Sequence, residues 1–233
     1  GMTHIQIPEI SYPLEYMEDL MRLTPLITET IERDGLPIKS GEINLGKLDL
    51  RLEIAHFYLS WISECNEVIA NLNLTIADLR ALPERHHILG GLPWSRYKLL
   101  VRTFFHEFYR LREIFNTALS ISVKRGFMTK SEQQVARNAF HDVIQEAVDL
   151  RNSLVHGRVS WGGEEHIELH LLSFARASGH RLVHRETGDE VSLERKLQQT
   201  CMKMVAVLQP EGVKVSTIMS AFVRESVQLT SKL

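Results

Sequence analysis

The chain has 233 residues, 44% hydrophobic and 24% charged, with a formal net charge of −2. That is enough for a packed core in one or two domains, and it excludes a global basic field that would draw the whole molecule to nucleic acid. No long uncharged run suits a membrane span and no basic-then-apolar leader opens the chain, so the expectation is a soluble cytoplasmic protein whose Cys65 and Cys201 are buried thiols, not a disulfide.

Residues 1–45, punctuated by Pro8, Pro13, Pro25 and Pro37, read as an irregular N-terminal wrap. It carries a short helix over Leu14 to Leu23 and a second one that Thr24-Pro25 opens and Gly35 ends. Residues 46–233 read as a single helical domain. Leu45 to Leu72 is helical with apolar residues on two opposite sides, which requires burial in the fold or in a subunit interface. Phe57, Tyr58 and Trp61 sit among aliphatic residues at helical spacing, which favours core packing over a base-stacking platform. Residues 73–94, with Pro83, Gly90, Gly91 and Pro93, read as a long loop.

Ser95 to Arg125 gives the clearest helical period, with Lys124 and Arg125 at its negative end and Gly126 as its left-handed cap. Thr129-Lys130-Ser131-Glu132 matches a capping box, so a second helix starts at once and runs to about His156. So short a link makes an antiparallel hairpin. Beyond Gly157, Ile167, Leu169 and Leu171 alternate with polar residues, and Ser178-Gly179 offers a turn. This predicts a small β-hairpin over about 165–185. His166, Glu168 and His170 would share a strand face near His180 and His184. The two outer residues are about 13 Å apart on an extended strand, so no metal site is expected. Asp189 or Ser192 caps a helix that Pro210 stops near Gln209, and a last helix covers Val215 to Leu229. The fold expected is mainly α: an antiparallel helical bundle with a β-hairpin insertion.

One segment departs from this ordinary pattern. With Phe140 at zero on a helical wheel, Ile144, Ala147 and Val148 define the apolar stripe, and Arg151 falls about 20° from its middle. A guanidinium there needs an anionic partner or a stripe that opens into a cleft, because burying it alone is costly. Glu107 on the preceding helix is the structural partner to expect. Asn152 and His156 lie on the opposite stripe, with His156 about 140° from Arg151. The two converge only if the helix ends at Gly157 or a second copy completes the site. The hairpin brings this end near Arg96, Lys98 and Arg102. Between Arg96 and Lys130 eight Lys/Arg stand against Glu107 and Glu113, and Arg158 adds to the patch. Arg102 and Arg158 are therefore the expected phosphate-binding residues.

The run Arg151-Asn152-Ser153-Leu154-Val155-His156-Gly157, closing a long helix in an all-α core, resembles the HEPN superfamily, defined by an Arg, often a polar neighbour, and a His about five positions on. The resemblance spans residues 46–157 and the helices after 190. It implies a homodimer whose two motifs share a cleft, and a metal-independent endoribonuclease without cofactor, often a toxin with an antitoxin partner. On it, Arg151, Asn152 and His156 are the catalytic residues. The 2′-hydroxyl of RNA attacks the adjacent phosphorus, His156 handles the proton steps and Arg151 clamps the non-bridging oxygens. The alternative is a non-catalytic HEPN-like module that binds RNA, a nucleotide or a protein partner. A purely structural reading instead makes Arg151 a buried ion pair and His156 a helix-terminal residue on the last carbonyls.

Overall fold

The computed structural model describes residues 6–35, 45–155 and 163–233. They form six α-helices: α1 (Met17–Asp34), α2 (Leu50–Arg85), α3 (Pro93–Lys124), α4 (Lys130–Val155), α5 (Glu164–Ala177) and α6 (Leu193–Thr230). The chain enters as an extended segment, makes one 3-10 turn at Leu14–Tyr16 and continues into α1. No described helix is long and apolar enough to cross a membrane.

Helix α2 is the centre. Its apolar residues are largely buried within the fold, where it packs against α1, α3 and α6. Asp49 caps it by accepting the Leu52 N–H at 2.9 Å. Phe57, Tyr58 and Trp61 are core residues, at most 5% exposed, which excludes the stacking-platform role. From α3, Phe115 stacks on Phe140 of α4 at 4.1 Å and meets Phe222 of α6 at 4.9 Å, so one aromatic cluster joins three helices. The α3–α4 hairpin forms as its sequence dictates. Gly126 has φ 75°. The box is closed reciprocally, with Thr129 N–H on Glu132 Oε1 at 3.0 Å and Glu132 N–H on Thr129 Oγ1 at 3.1 Å.

Three prolines expected at a helix start, in a loop and at a helix stop all lie within helices. Pro25 lies inside α1, so Thr24-Pro25 starts no second helix, and Pro83 lies in the last turn of α2. Pro210 lies inside α6, which Ser192 caps with Oγ on the Arg195 N–H at 3.2 Å. Each proline costs about 3 kcal/mol in an isolated helix. Along α6, burial of Leu208, Val215, Met219 and Val223 on either side of Pro210 outweighs that penalty. The long loop expected over 73–94 is thereby reduced to residues 86–92.

The β-hairpin at 165–185 is replaced by α5. Leu169, Leu172, Ser173 and Ala175 face the core at helical spacing, while Ile167, Leu171 and Phe174 form a second stripe on the outside, 46–61% exposed. Two opposed stripes interleave into the alternation that mimics a strand. After α5 the chain makes a tight turn with a single antiparallel bridge, Val183 to Glu190, closed by His184 N–H on Asp189 O and Val191 N–H on Leu182 O.

Cys65 and Cys201 are free and buried, and burial pushes both thiols up to about 12. Both are expected to resist a thiol reagent in the native protein and to react fully in denaturant. Rapid native labelling of either would contradict the packing around it.

Candidate functional site

The motif lies on the last turns of α4, and the seam with α3 positions it. Phe140, Ile144 and Ala147 are buried, at most 3% exposed. Val148, Leu150 and Arg151 are only half-buried. The apolar stripe of α4 thus leaves the core one turn before Arg151, which resolves the apparent conflict of a cation in its middle.

Among the described residues Arg151 is held by neutral groups. Its Nη1 donates to Tyr109 Oη at 3.0 Å and to Asn152 Oδ1 at 3.2 Å. Its Cζ lies 5.1 Å from the Tyr109 ring centroid. A phenol, an amide and a π-face orient the guanidinium, and none of them carries a formal negative charge. Among the described residues no carboxylate pairs with it.

The expected partner Glu107 is engaged elsewhere. It sits on the side of α3 that faces α2, where Oε2 accepts from Asn71 Nδ2 at 3.2 Å and Arg110 Nη1 at 3.0 Å. Glu67 approaches Arg110 Nη2 at 3.6 Å. The hairpin register identifies the right stretch of α3, but Tyr109, two residues on, is the residue turned toward α4. Its signal was its place on the α3 face that carries Arg102 and Asn116, seven residues to either side.

Of the other predicted residues, Asn152 is exposed and touches Arg151, and Arg102 is exposed on α3 two turns from Tyr109. His156 and Arg158 lie outside the described residues. The histidines of α5 are not on a strand. His166 Nε2 shares a 2.9 Å hydrogen bond with Tyr97 Oη, His170 stacks on Trp94 at 5.5 Å, and Glu168 pairs with Lys196. Among the described residues no group of three or more His, Cys, Asp or Glu is placed to hold a metal ion.

Compared with protein-family models, with curated proteins and with solved structures, the chain matches none.

Proposed function

We propose that the chain is an HEPN-like endoribonuclease that cuts RNA without a metal ion, through Arg151, Asn152 and His156. The observation that supports this most is the Arg151 guanidinium: oriented by Tyr109 and Asn152, half-buried at the edge of the core, and unmatched by any described carboxylate. A structural arginine in that position would be neutralised. An arginine kept charged and aimed has an anion to meet, and a planar fork suits the oxygens of a phosphate.

In the reaction the RNA 2′-oxygen forms a bond to the adjacent phosphorus as the bond to the 5′-oxygen breaks. The 2′-proton leaves to a base and the 5′-oxygen receives one. His156 serves these transfers near neutral pH, and Arg151 carries the charge that grows on the phosphorane. Two copies meeting motif to motif would supply one imidazole to accept and another to donate. The products are a 2′,3′-cyclic phosphate and a 5′-hydroxyl.

The purified protein is expected to nick RNA in EDTA with those ends, and to leave the same oligonucleotide intact when it is 2′-deoxy throughout. Arg151→Ala and His156→Ala each abolish the cut. Cleavage by both variants at the wild-type rate would sink the assignment. RNA binding with no cleavage by the wild type would instead make the domain a non-catalytic binding module.

A further inference from the structure

The seam between α3 and α4 continues past Arg151 as an open groove of about 380 Å³. Arg112 and Asn116 line it from α3, and Arg137, His141 and Gln145 from α4. Its floor is Phe140 and Ile144, both buried. No Asp or Glu is among the described residues that line it. Arg112 and Arg137 face each other's helix with no carboxylate or hydrogen-bond partner among the described residues. Two acids of α4 lie beside the lining residues. Asp142, 3.9 Å from His141 Nδ1, is 87% exposed, and Asp149 accepts from Gln145 Nε2 at 2.7 Å.

These groups form a file. From Arg137 to Arg151 along α4 is 14 residues, about 21 Å at 1.5 Å per residue. Arg112 stands opposite within that span. A chain of net charge −2 thus places Arg112, Arg137 and Arg151 along one seam, none of the three with a paired carboxylate among the described residues. Lone surface cations are scattered and solvated. Cations in file along a groove without acids match a repeating anion, and a phosphodiester backbone is the repeating anion that such a line fits.

We infer that the α3–α4 groove binds one single-stranded RNA segment flanking the cleaved bond, with Arg112 and Arg137 on successive phosphates and Asn116 and Gln145 as hydrogen-bonding groups beside them. This rests on the nuclease reading for its direction, since the file leads to Arg151, but the groove itself is independent of catalysis. The groove is a shallow seam between two packed helices, which suits one strand. A duplex would offer it only one of two backbones.

The test uses the full chain and a fluorescein-labelled 2′-O-methyl RNA 12-mer, which cannot be cut because its 2′-oxygen is blocked. Fluorescence anisotropy across a salt series reads affinity and the number of phosphates engaged. Arg112→Glu/Arg137→Glu is expected to weaken binding at least tenfold and to lower the salt slope by about 2, one for each phosphate no longer engaged. Arg112→Lys/Arg137→Lys should retain most of the affinity, which also shows that the site tolerates substitution. Arg151→Ala, which removes one cation at the end of the same file, should weaken binding only a few-fold and lower the salt slope by about 1.

Wild-type affinity and slope in the charge-reversed variant would overturn the inference, as would failure of the wild type to bind the strand or tighter binding of the matching duplex. Cleavage of unmodified RNA separates the two ideas. Loss of binding only in the groove variant, with Arg151→Ala still cutting, leaves the groove standing and removes the nuclease assignment. Loss of cutting in Arg151→Ala, with a groove variant that binds normally, does the reverse.

Discussion

Replacing Arg151 with lysine is expected to lower RNA cleavage by about 10²–10³-fold, close to the effect of alanine, because a point charge cannot reproduce the two-pronged contact to a developing phosphorane. Tyr109 is expected to act as a positioning residue for it. Tyr109→Phe removes the 3.0 Å acceptor but keeps the ring under the guanidinium, for a loss of about tenfold. Tyr109→Ala removes both, and a guanidinium displaced by about 1 Å loses about 10²-fold. In each case kcat falls while the affinity for uncleavable RNA stays within a few-fold, a split that general destabilisation would not give. Stability separates the two roles as well. Arg151→Ala should change unfolding free energy by less than about 1 kcal/mol, since no described carboxylate is left behind. Were Arg151 half of a buried ion pair, its removal would cost about 3–5 kcal/mol. A large destabilisation by Arg151→Ala, or wild-type kcat in Tyr109→Ala, would make this arginine structural.

The second large effect concerns the extended N-terminal segment. Ile7 and Ile10 are each 2% exposed, and two asparagines of α2 treat their backbone as a neighbouring strand would. Asn73 accepts from Ile7 N–H and donates to Ile7 O, both at 2.9 Å. Asn66 does the same for Ile10, at 2.7 and 3.0 Å. The asparagines are seven apart, hence on one face of α2. Ser216 Oγ binds Pro8 O from α6. Gly212, beside Pro210, leaves room for Ile7, whose side chain a Cβ there would strike. Asn66→Ala/Asn73→Ala orphans four backbone groups in a part-buried seam, at about 1–3 kcal/mol each, which exceeds what a segment of this size can return. The segment is expected to detach, and burial of the two isoleucines, about 1.5–3 kcal/mol each, is then lost. Chemical denaturation should show about 3–6 kcal/mol of destabilisation. Limited proteolysis should cut within residues 6–13 of the variant while sparing the wild type. A protected segment and unchanged stability would mean that the asparagines are dispensable.

These two regions were legible to very different degrees. The α3–α4 hairpin was readable because its signals are local: a glycine at the left-handed position, a Thr and a Glu three apart, and one uninterrupted period. The displacement of Arg151 from an ordinary core pattern was readable for the same reason. Its partner was not, because the choice between Glu107 and Tyr109 turns on the rotation of α3 about its own axis. Asn66 and Asn73 look like solvated helix residues until the peptide they hold, more than fifty positions away, is in place. Pro210 and the two stripes of α5 misled by the same route. Both are local statements that packing on a second side overrules.

Tyr16 Oη donates to Thr230 Oγ1 at 2.9 Å, and Tyr58 Oη lies 3.0 Å from the same hydroxyl. The contact joins positions 214 apart. On a ribosome it forms only after Thr230 has emerged, and at about 5–20 residues per second Tyr58 then waits on the order of ten seconds for its partners on α6. Of the six described helices, α6 is made after the other five, so this part of the core stays open to aggregation and chaperone capture until α6 has emerged.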